Sequence, residues 1–247
     1  MNLDNQIALV TGGASGMGKA CAEYLQEHGM KVVVWDRQKD NESKADLFLN
    51  CDVTSDESVE HAMKETIAQV GTPRVCINCA GIAPAKRIVG KEGAMPLSDF
   101  KQVIDVNLIG TFNVMRVVAH AMSSLDMDTK SQERGIIINT ASVAAFEGQI
   151  GQAAYSASKG GIVSMTLPAA RELARFAIRV NTIAPGLFAT PLLLNMPQEV
   201  QDNLAATITF PKRLGKPEEF ALTVRHIIEN GMMNGSVIRL DGALRMQ

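Results

Sequence analysis

A tyrosine and a lysine stand one helical turn apart in the second half of the chain. Tyr155 and Lys159 begin and end the segment YSASK, and Ser142 lies thirteen residues before the tyrosine. If this stretch is helical, positions i and i+4 share one face, so the phenol and the ammonium group point into the same space. A cation near a phenol favours the phenolate and lowers the tyrosine pKa, which suits proton exchange in alcohol–ketone interconversion. The spacing predicts an acid–base tyrosine with Ser142 hydrogen-bonded to the substrate oxygen; the alternative is a solvated surface pair.

A glycine-rich turn follows the first apolar run of the chain. The run at 7–10 is typical of a buried strand, the sequence TGGASGMG follows at 11–18, and an amphipathic helical pattern begins after it. Glycine lets the backbone approach a pyrophosphate, and the free N–H groups at a helix start bind the anion. The predicted phosphate cradle consists of Gly12, Ser15, Gly16, Met17 and Gly18.

The end of the second predicted strand indicates which dinucleotide binds. Asp36 stands there, eighteen residues after Gly18. A carboxylate at this place can bind both ribose hydroxyls of an adenosine, and it repels a 2′-phosphate. Arg37 follows directly and can offset part of that repulsion. The pattern therefore favours NAD over NADP.

Strand-like apolar runs alternate with helix-like periodic runs along the whole chain. This alternation predicts an α/β fold: a single doubly wound (Rossmann) domain over residues 1–247, with about seven parallel strands and helices on both faces of the sheet. In such a sheet the ligand sits beyond the carboxyl ends of the strands. The predicted strands are 7–11, 31–35, 47–51, 75–78, 135–140, 179–183 and 237–240.

Several chemically useful residues follow the predicted strand ends. Gly12, Asp36, Asn78 and Ser142 are four of them, so we expect them to converge in space. The pair Asp52-Val53 also follows a strand and is expected to meet the adenine. An equally good interpretation makes Asp52 a turn residue before the next helix.

With these residues in hand, the chain resembles the short-chain dehydrogenase/reductase family over nearly all of its length. The cofactor motif matches at 11–18, and a structural motif matches as NCAG at 78–81, with cysteine where alanine is the commoner choice. The resemblance implies cofactor contacts along both motifs and near the nicotinamide. The implied active-site set is Asn107, Ser142, Tyr155 and Lys159, and the further implied cofactor contacts are Asn78, Ala80, Gly81, Pro185, Gly186 and Thr190.

The resemblance also implies roles and an assembly. Asn107 lies on an apolar helical face, where a buried amide must find partners; the family implies a kink there and a water that bridges to Lys159. Lys159 would also hold the nicotinamide ribose. The implied assembly is a homotetramer, built through the long helices near 100–122 and 153–176 and the C-terminal segment.

Within the family, the segments 135–159, 183–193 and 237–247 most resemble the type-2 3-hydroxyacyl-CoA dehydrogenases, also called type-10 17β-hydroxysteroid dehydrogenases. This implies NAD-dependent interconversion of 3-hydroxyacyl-CoA and 3-oxoacyl-CoA in fatty acid metabolism. Three alternatives stay open. They are an NADPH-dependent 3-oxoacyl or acetoacetyl-CoA reductase, a steroid or general alcohol dehydrogenase, and a non-catalytic NAD-binding regulator or scaffold.

Two groups of residues are candidates for substrate contact. Gln149 and Gln152 lie between Ser142 and Tyr155, and either reaches the thioester or faces solvent. An apolar cluster within the substrate-side segment 185–215 either covers an acyl chain or packs in the core. That cluster is Leu187, Phe188, Leu192, Leu193, Leu194 and Met196.

A basic loop is the third candidate for substrate contact. Lys86, Arg87 and Lys91 lie on the expected rim of the active site, where they would attract the phosphates of coenzyme A. The alternative is an ordinary solvated loop.

Composition narrows the class of protein. The net charge of −2 and pI near 6.1 give no support for nucleic-acid binding, and no apolar run approaches a membrane span. The polar start at 1–6 and the short run at 7–10 do not fit a signal peptide, and there is no Arg-rich leader, so the prediction is cytoplasmic. Four cysteines fit a reducing compartment. The C-x-x-C of Cys76 and Cys79 sits in a predicted strand without a second pair, and we predict no metal there.

Overall fold

The computed structural model describes residues 1–40 and 42–246, and of Leu192 only the backbone. Seven strands form one parallel sheet in the order β3-β2-β1-β4-β7-β8-β9, and β5 and β6 form a separate short antiparallel hairpin. The strands are β1 (Ile7–Thr11), β2 (Lys31–Asp36), β3 (Leu47–Asn50), β4 (Val75–Asn78), β5 (Val89–Gly90), β6 (Gly93–Ala94), β7 (Gly135–Thr140), β8 (Ile178–Pro185) and β9 (Val237–Leu240).

Helices cover both faces of the large sheet. The fold is a single Rossmann-like α/β domain, so the predicted fold class and the seven predicted strands are confirmed. The helices are α1 (Gly16–Glu27), α2 (Asp56–Gln69), α3 (Leu97–Ile104), α4 (Gly110–Ser123), α5 (Ala153–Leu173), α6 (Pro191–Leu194), α7 (Gln198–Ala206) and α8 (Pro217–Glu229).

Burial on both faces explains why the strands are continuous apolar runs. In β1, Ala8 and Val10 belong to the core that packs under α1 and α8, whereas Leu9 belongs to the core that packs under α2, α4 and α5. Successive side chains of a strand point to opposite faces, so a strand covered on both sides has no polar face. The alternation of strand and helix then brings every parallel strand end to the same edge of the sheet.

The connection between α3 and α4 is irregular in a useful place. The chain passes from one helix to the other through a π-helical turn at Asp105–Ile109, which contains the fully buried Asn107. Such turns commonly occur at functional sites because they redirect one side chain without ending the helix. Among the helices of the described residues, none is both long and apolar enough to cross a membrane.

Candidate active site

A cavity of about 1070 Å³ opens at the carboxyl edge of the sheet. It is large enough for a dinucleotide and a small substrate group, because ligand cavities of roughly 300–1,000 Å³ are usual. The structure brings most of the predicted site residues to this one space. The predicted residues that line it are Gly12, Ser15, Gly16, Met17, Gly18, Asp36, Asp52, Val53, Ala80, Gly81, Ser142, Tyr155, Lys159, Pro185, Gly186 and Thr190.

The glycine-rich turn has the geometry of an anion cradle. Helix α1 begins at Gly16; its N-cap Ser15 makes no side-chain capping bond, and the first turn carries no acidic residue. The first N–H groups of a helix have no intrahelical acceptor, so these can receive an anion from the cavity. Gly12 has φ +67°, and a Cβ there would lie 2.7 Å from the Ala80 nitrogen. The cradle therefore fits the pyrophosphate of a dinucleotide.

At one end of the cavity, the Asp36 carboxylate is held by backbone groups. One oxygen accepts a hydrogen bond from the Ala14 N–H and the other from the Gln38 N–H, each at 3.0 Å. These bonds fix the carboxylate at the end of β2 beside Arg37, which also lines the cavity. Charged acceptors held in this way form strong bonds to ribose hydroxyls.

Asp52 is a turn residue that also lines the cavity. One of its oxygens accepts from the Thr54 N–H at 2.9 Å and from the Thr54 hydroxyl at 2.7 Å, which is the pattern of a turn residue. These bonds hold the pKa of Asp52 below its usual value. The residue also lines the cavity together with Val53.

At the other end, Tyr155, Lys159 and Ser142 face the same cavity. Helix α5 carries the tyrosine and the lysine one turn apart, and the lysine Nζ lies 5.8 Å from the tyrosine ring centroid. Lys159 is only 5% exposed, and its ammonium group donates to the Thr140 carbonyl at 2.7 Å. Ser142 ends the segment after β7, where its hydroxyl accepts from the Ala144 N–H at 3.1 Å.

The electrostatics of this cluster differ from the simple expectation. Burial raises the pKa of Tyr155, although a hydrogen bond with Ser142 acts in the opposite direction. The prediction that Lys159 lowers the pKa of Tyr155 is therefore wrong when the protein residues act by themselves, because removing water penalises the charged phenolate. Burial also lowers the pKa of Lys159 to about 8. This lysine is still mostly protonated at pH 7 and loses its charge as the pH rises through that value.

Two predicted site residues lie just beneath the cavity. Asn107 accepts from the Ile82 N–H at 2.8 Å, donates to the Ile82 carbonyl at 2.9 Å and donates to Ser158 at 3.0 Å. Asn78 is buried in β4 and donates to the Asn139 side chain at 2.9 Å. Both amides fix the positions of the strand ends and loops that line the site.

Of the predicted substrate residues, Ser142 lines the large cavity, whereas Gln149, Gln152, Leu187 and Phe188 are not among its lining residues. Phe188 is 5% exposed and packs in the core at right angles to the Phe220 ring, with centroids 6.5 Å apart. With Leu187 it borders a separate cavity of about 260 Å³. Core packing is therefore the better interpretation for Phe188. Gln149 is exposed, and its N–H donates to the Gln152 side chain at 2.9 Å; the side chain of Leu192 lies outside the described residues.

Sequence reasoning missed one wall of the site. Ile82, Ala83 and Pro84 line the cavity directly after the NCAG motif, and Gln102 and Val106 join them from α3 and the π-helical turn. The signal was present, because 82–84 continues a strand-end loop and Gln102 and Val106 stand at i and i+4. These five residues give this part of the cavity a largely apolar wall.

In the part of the chain that the structure describes, the cysteines do not group with other potential metal ligands. Within it, no three His, Cys, Asp or Glu side chains group as metal ligands. All four cysteines are free thiols, and Cys76 is buried in β4, which raises the pKa of its thiol.

Comparisons with known proteins agree with this geometry. The family model for short chain dehydrogenases matches residues 6–201. Over 250 residues, the chain is 54% identical to 3-hydroxyacyl-CoA dehydrogenase type-2 of Bos taurus. The alignment covers 98% of this chain and 95% of the bovine protein. It is 49% identical over 253 residues to the protein of that name from Drosophila melanogaster, with 99% of each chain covered.

A solved structure agrees equally well. The crystal structure of 3-hydroxyacyl-CoA dehydrogenase type-2 from Mycobacterium avium matches with a TM-score of 0.92 at 40% identity, covering 98% of this chain and 97% of that one. The similarity in sequence and in fold thus extends over nearly the whole chain. This chain therefore belongs to the short chain dehydrogenase family and is an oxidoreductase.

Proposed function

We propose that the protein interconverts 3-hydroxyacyl-CoA and 3-oxoacyl-CoA by hydride transfer between the substrate C3 and NAD. One observation carries the proposal: a single cavity holds Asp36 at one end and Ser142, Tyr155 and Lys159 at the other. The names of the relatives that cover the chain from end to end support the choice of acyl-CoA as substrate.

Tyr155 is the proposed general base in the oxidation direction. It takes the proton of the substrate hydroxyl while Ser142 hydrogen-bonds the same oxygen and polarises the carbonyl in the reverse direction. When bound, NAD would supply the hydride acceptor and a cationic ring whose charge favours the phenolate. Lys159 supplies a buried positive charge near the tyrosine and holds the nicotinamide ribose.

We assign a positioning role to Asn107. A Cβ added to Gly81 would lie 3.1 Å from the Asn107 oxygen and 3.6 Å from Lys159 Nζ, so both side chains border the same small space. A water there could accept from the lysine and bond to the amide, as the family resemblance implies. Pro185, Gly186 and Thr190 lie at the nicotinamide end in this proposal, and the segment 185–215 forms the substrate side.

A substrate panel tests the proposal against its rivals. We expect the highest kcat/KM for 3-hydroxyacyl-CoA with NAD, and much lower values for steroid alcohols and for NADP. A preference for NADPH and 3-oxoacyl substrates would favour a biosynthetic reductase, which Asp36 argues against. Tight NAD binding without turnover on any alcohol would favour a regulator. The cytoplasmic location stays a prediction.

The assembly gives a prediction of its own. Exposed apolar side chains lie on or beside the two long helices: Ile109 directly before α4, Phe112 in its first turn and Leu167 on α5. Side chains such as these are available to pack against another subunit. We expect light scattering at micromolar concentration to give four times the chain mass of 26.6 kDa. A monomer would contradict the proposed homotetramer, and Phe112→Asp is expected to shift the tetramer toward smaller species.

The basic loop gives another prediction. Arg87 and Lys91 are exposed, whereas Lys86 forms an ion pair with Asp99. Replacing all three basic residues with alanine should raise KM for acyl-CoA several-fold, because exposed cations attract the coenzyme phosphates through a field that salt screens. The increase should shrink as ionic strength rises.

The matched control for that prediction is a pantetheine thioester, which lacks the phosphates of the nucleotide part. Its KM should be unchanged in the triple variant. An equal rise in KM for both substrates would indicate that the loop had lost its fold. An unchanged KM for both would leave the loop without a binding role.

A further inference from the structure

Helix α4 carries a buried amide that holds the segment at the proposed adenosine end of the cavity. Asn113 is 7% exposed, and its Nδ2 donates to the Val53 carbonyl at 3.0 Å. Val53 and Asp52 line the cavity, whereas Asn113 is not among the lining residues. The amide therefore acts on the site only through the 52–53 segment.

The hydrogen bonds of Asn113 allow only one orientation of its amide. Its Oδ1 accepts from Nε of Arg116 at 3.0 Å and from Nη2 at 2.8 Å. A guanidinium only donates and a backbone carbonyl only accepts, so exchanging the amide nitrogen and oxygen would break all three bonds. Arg116 also pairs with Asp56 at the start of α2. The segment from Val53 to Asp56 is thus attached to α4 at both ends.

Packing at Gly110 reinforces this attachment. A Cβ at Gly110 would lie 2.6 Å from a methyl carbon of Val53, so the helix backbone packs directly on that side chain. Gly110 begins α4 immediately after the π-helical turn that carries Asn107. One rigid element therefore reaches the reacting end of the cavity through Asn107 and the adenosine end through Asn113.

We propose that Asn113 is a positioning residue for the adenosine half of the cofactor. By fixing the Val53 carbonyl, it sets the distance of the 52–53 backbone and of the Asp52 carboxylate from the adenine edge. This inference rests on the proposed function, because the adenosine end exists only if the cavity takes NAD. Nothing in the proposed reaction uses Asn113, so its effect should be confined to ligands that contain adenosine.

Calorimetric titration with two fragments of the cofactor tests the proposal without turnover. Asn113→Asp keeps the size and the bonds from Arg116, but it cannot donate to Val53 and places a negative oxygen beside that carbonyl. We expect the Kd for ADP-ribose to rise roughly tenfold, as for a lost buried hydrogen bond. The Kd for nicotinamide mononucleotide should stay within about twofold.

Two further variants keep the test decisive. Val117→Ala removes partly buried packing from the same helix without touching the 52–53 segment, and both fragments should bind as in the unmodified protein. Arg116→Met, at an exposed position, releases the Asn113 amide and should weaken ADP-ribose binding about threefold even if Asn113→Asp does not fold.

The outcomes separate the inference from the proposed function. If the unmodified protein binds neither ADP-ribose nor NAD, the proposed function fails. If it binds both and the Asn113 and Arg116 variants bind ADP-ribose equally well, only the positioning role is overturned. An equal loss of affinity for both fragments would also overturn the positioning role, because that pattern indicates a general loss of structure.

Discussion

Replacing Tyr155 with phenylalanine should slow turnover by roughly 10²-fold or more, because the ring stays and only the proton-transferring oxygen is lost. The residue faces the cavity beside Lys159 and Ser142, and phenylalanine keeps the same ring, so the cavity wall stays intact. NAD binding should therefore survive in the variant. The measurement is steady-state turnover with 3-hydroxyacyl-CoA, together with a separate titration of NAD.

Tyr24→Phe is the matched control, since it removes the hydroxyl of the other tyrosine in the chain. The Tyr24 hydroxyl lies on α1 and accepts a long hydrogen bond of 3.4 Å from Arg225, and it is not among the residues that line the cavity. Its loss should leave turnover near normal. Near-normal turnover in Tyr155→Phe itself would remove the proposed base from the mechanism.

Asp36→Ala should reduce the preference for NAD over NADP by roughly 10²-fold. Charge-assisted hydrogen bonds contribute about 1.5–3 kcal/mol each, so losing the bonds to the ribose hydroxyls weakens the binding of NAD. Removing the carboxylate also removes its repulsion of a 2′-phosphate, and Arg37 stands beside it to receive that group. The measurement is the ratio of kcat/KM for the two cofactors.

Asp40→Ala is the control for the loss of one negative charge near the same loop. Asp40 pairs with Lys19 at 2.8 Å and does not line the cavity. This substitution should change the ratio little. An unchanged ratio in Asp36→Ala would mean that this carboxylate does not contact the ribose.

The fold could be predicted from the sequence because a doubly covered parallel sheet gives a simple signal. β4 and β7 are buried at every position, and their sequences are short apolar runs that end in a polar residue. Parallel strands also place all their carboxyl ends together, so motifs far apart in the chain, such as those at Gly12 and Ser142, had to meet.

Other features depend on contacts that no local pattern records. The direction of the Tyr155 pKa follows from how much water the folded cavity removes, and spacing along a helix does not contain that information. Leu187 and Phe188 directly follow Pro185 and Gly186, which line the large cavity, yet they border the second cavity because the chain there pairs with Gly215. In the sequence, Asn113 is only a polar position of an amphipathic helix. Its role depends on the hydrogen bond to the Val53 carbonyl, which the sequence does not show.

Transfer of deuterium from the substrate to the cofactor tests the central claim most directly. A 3-hydroxyacyl-CoA labelled with deuterium at C3 would be incubated with NAD and the protein, and the reduced cofactor analysed by mass spectrometry. The proposed reaction predicts that the label appears in the nicotinamide ring of the reduced cofactor, and that Tyr155→Phe forms the labelled product far more slowly. Oxidation of the substrate that leaves the reduced cofactor unlabelled, or no oxidation at all, would contradict hydride transfer from C3.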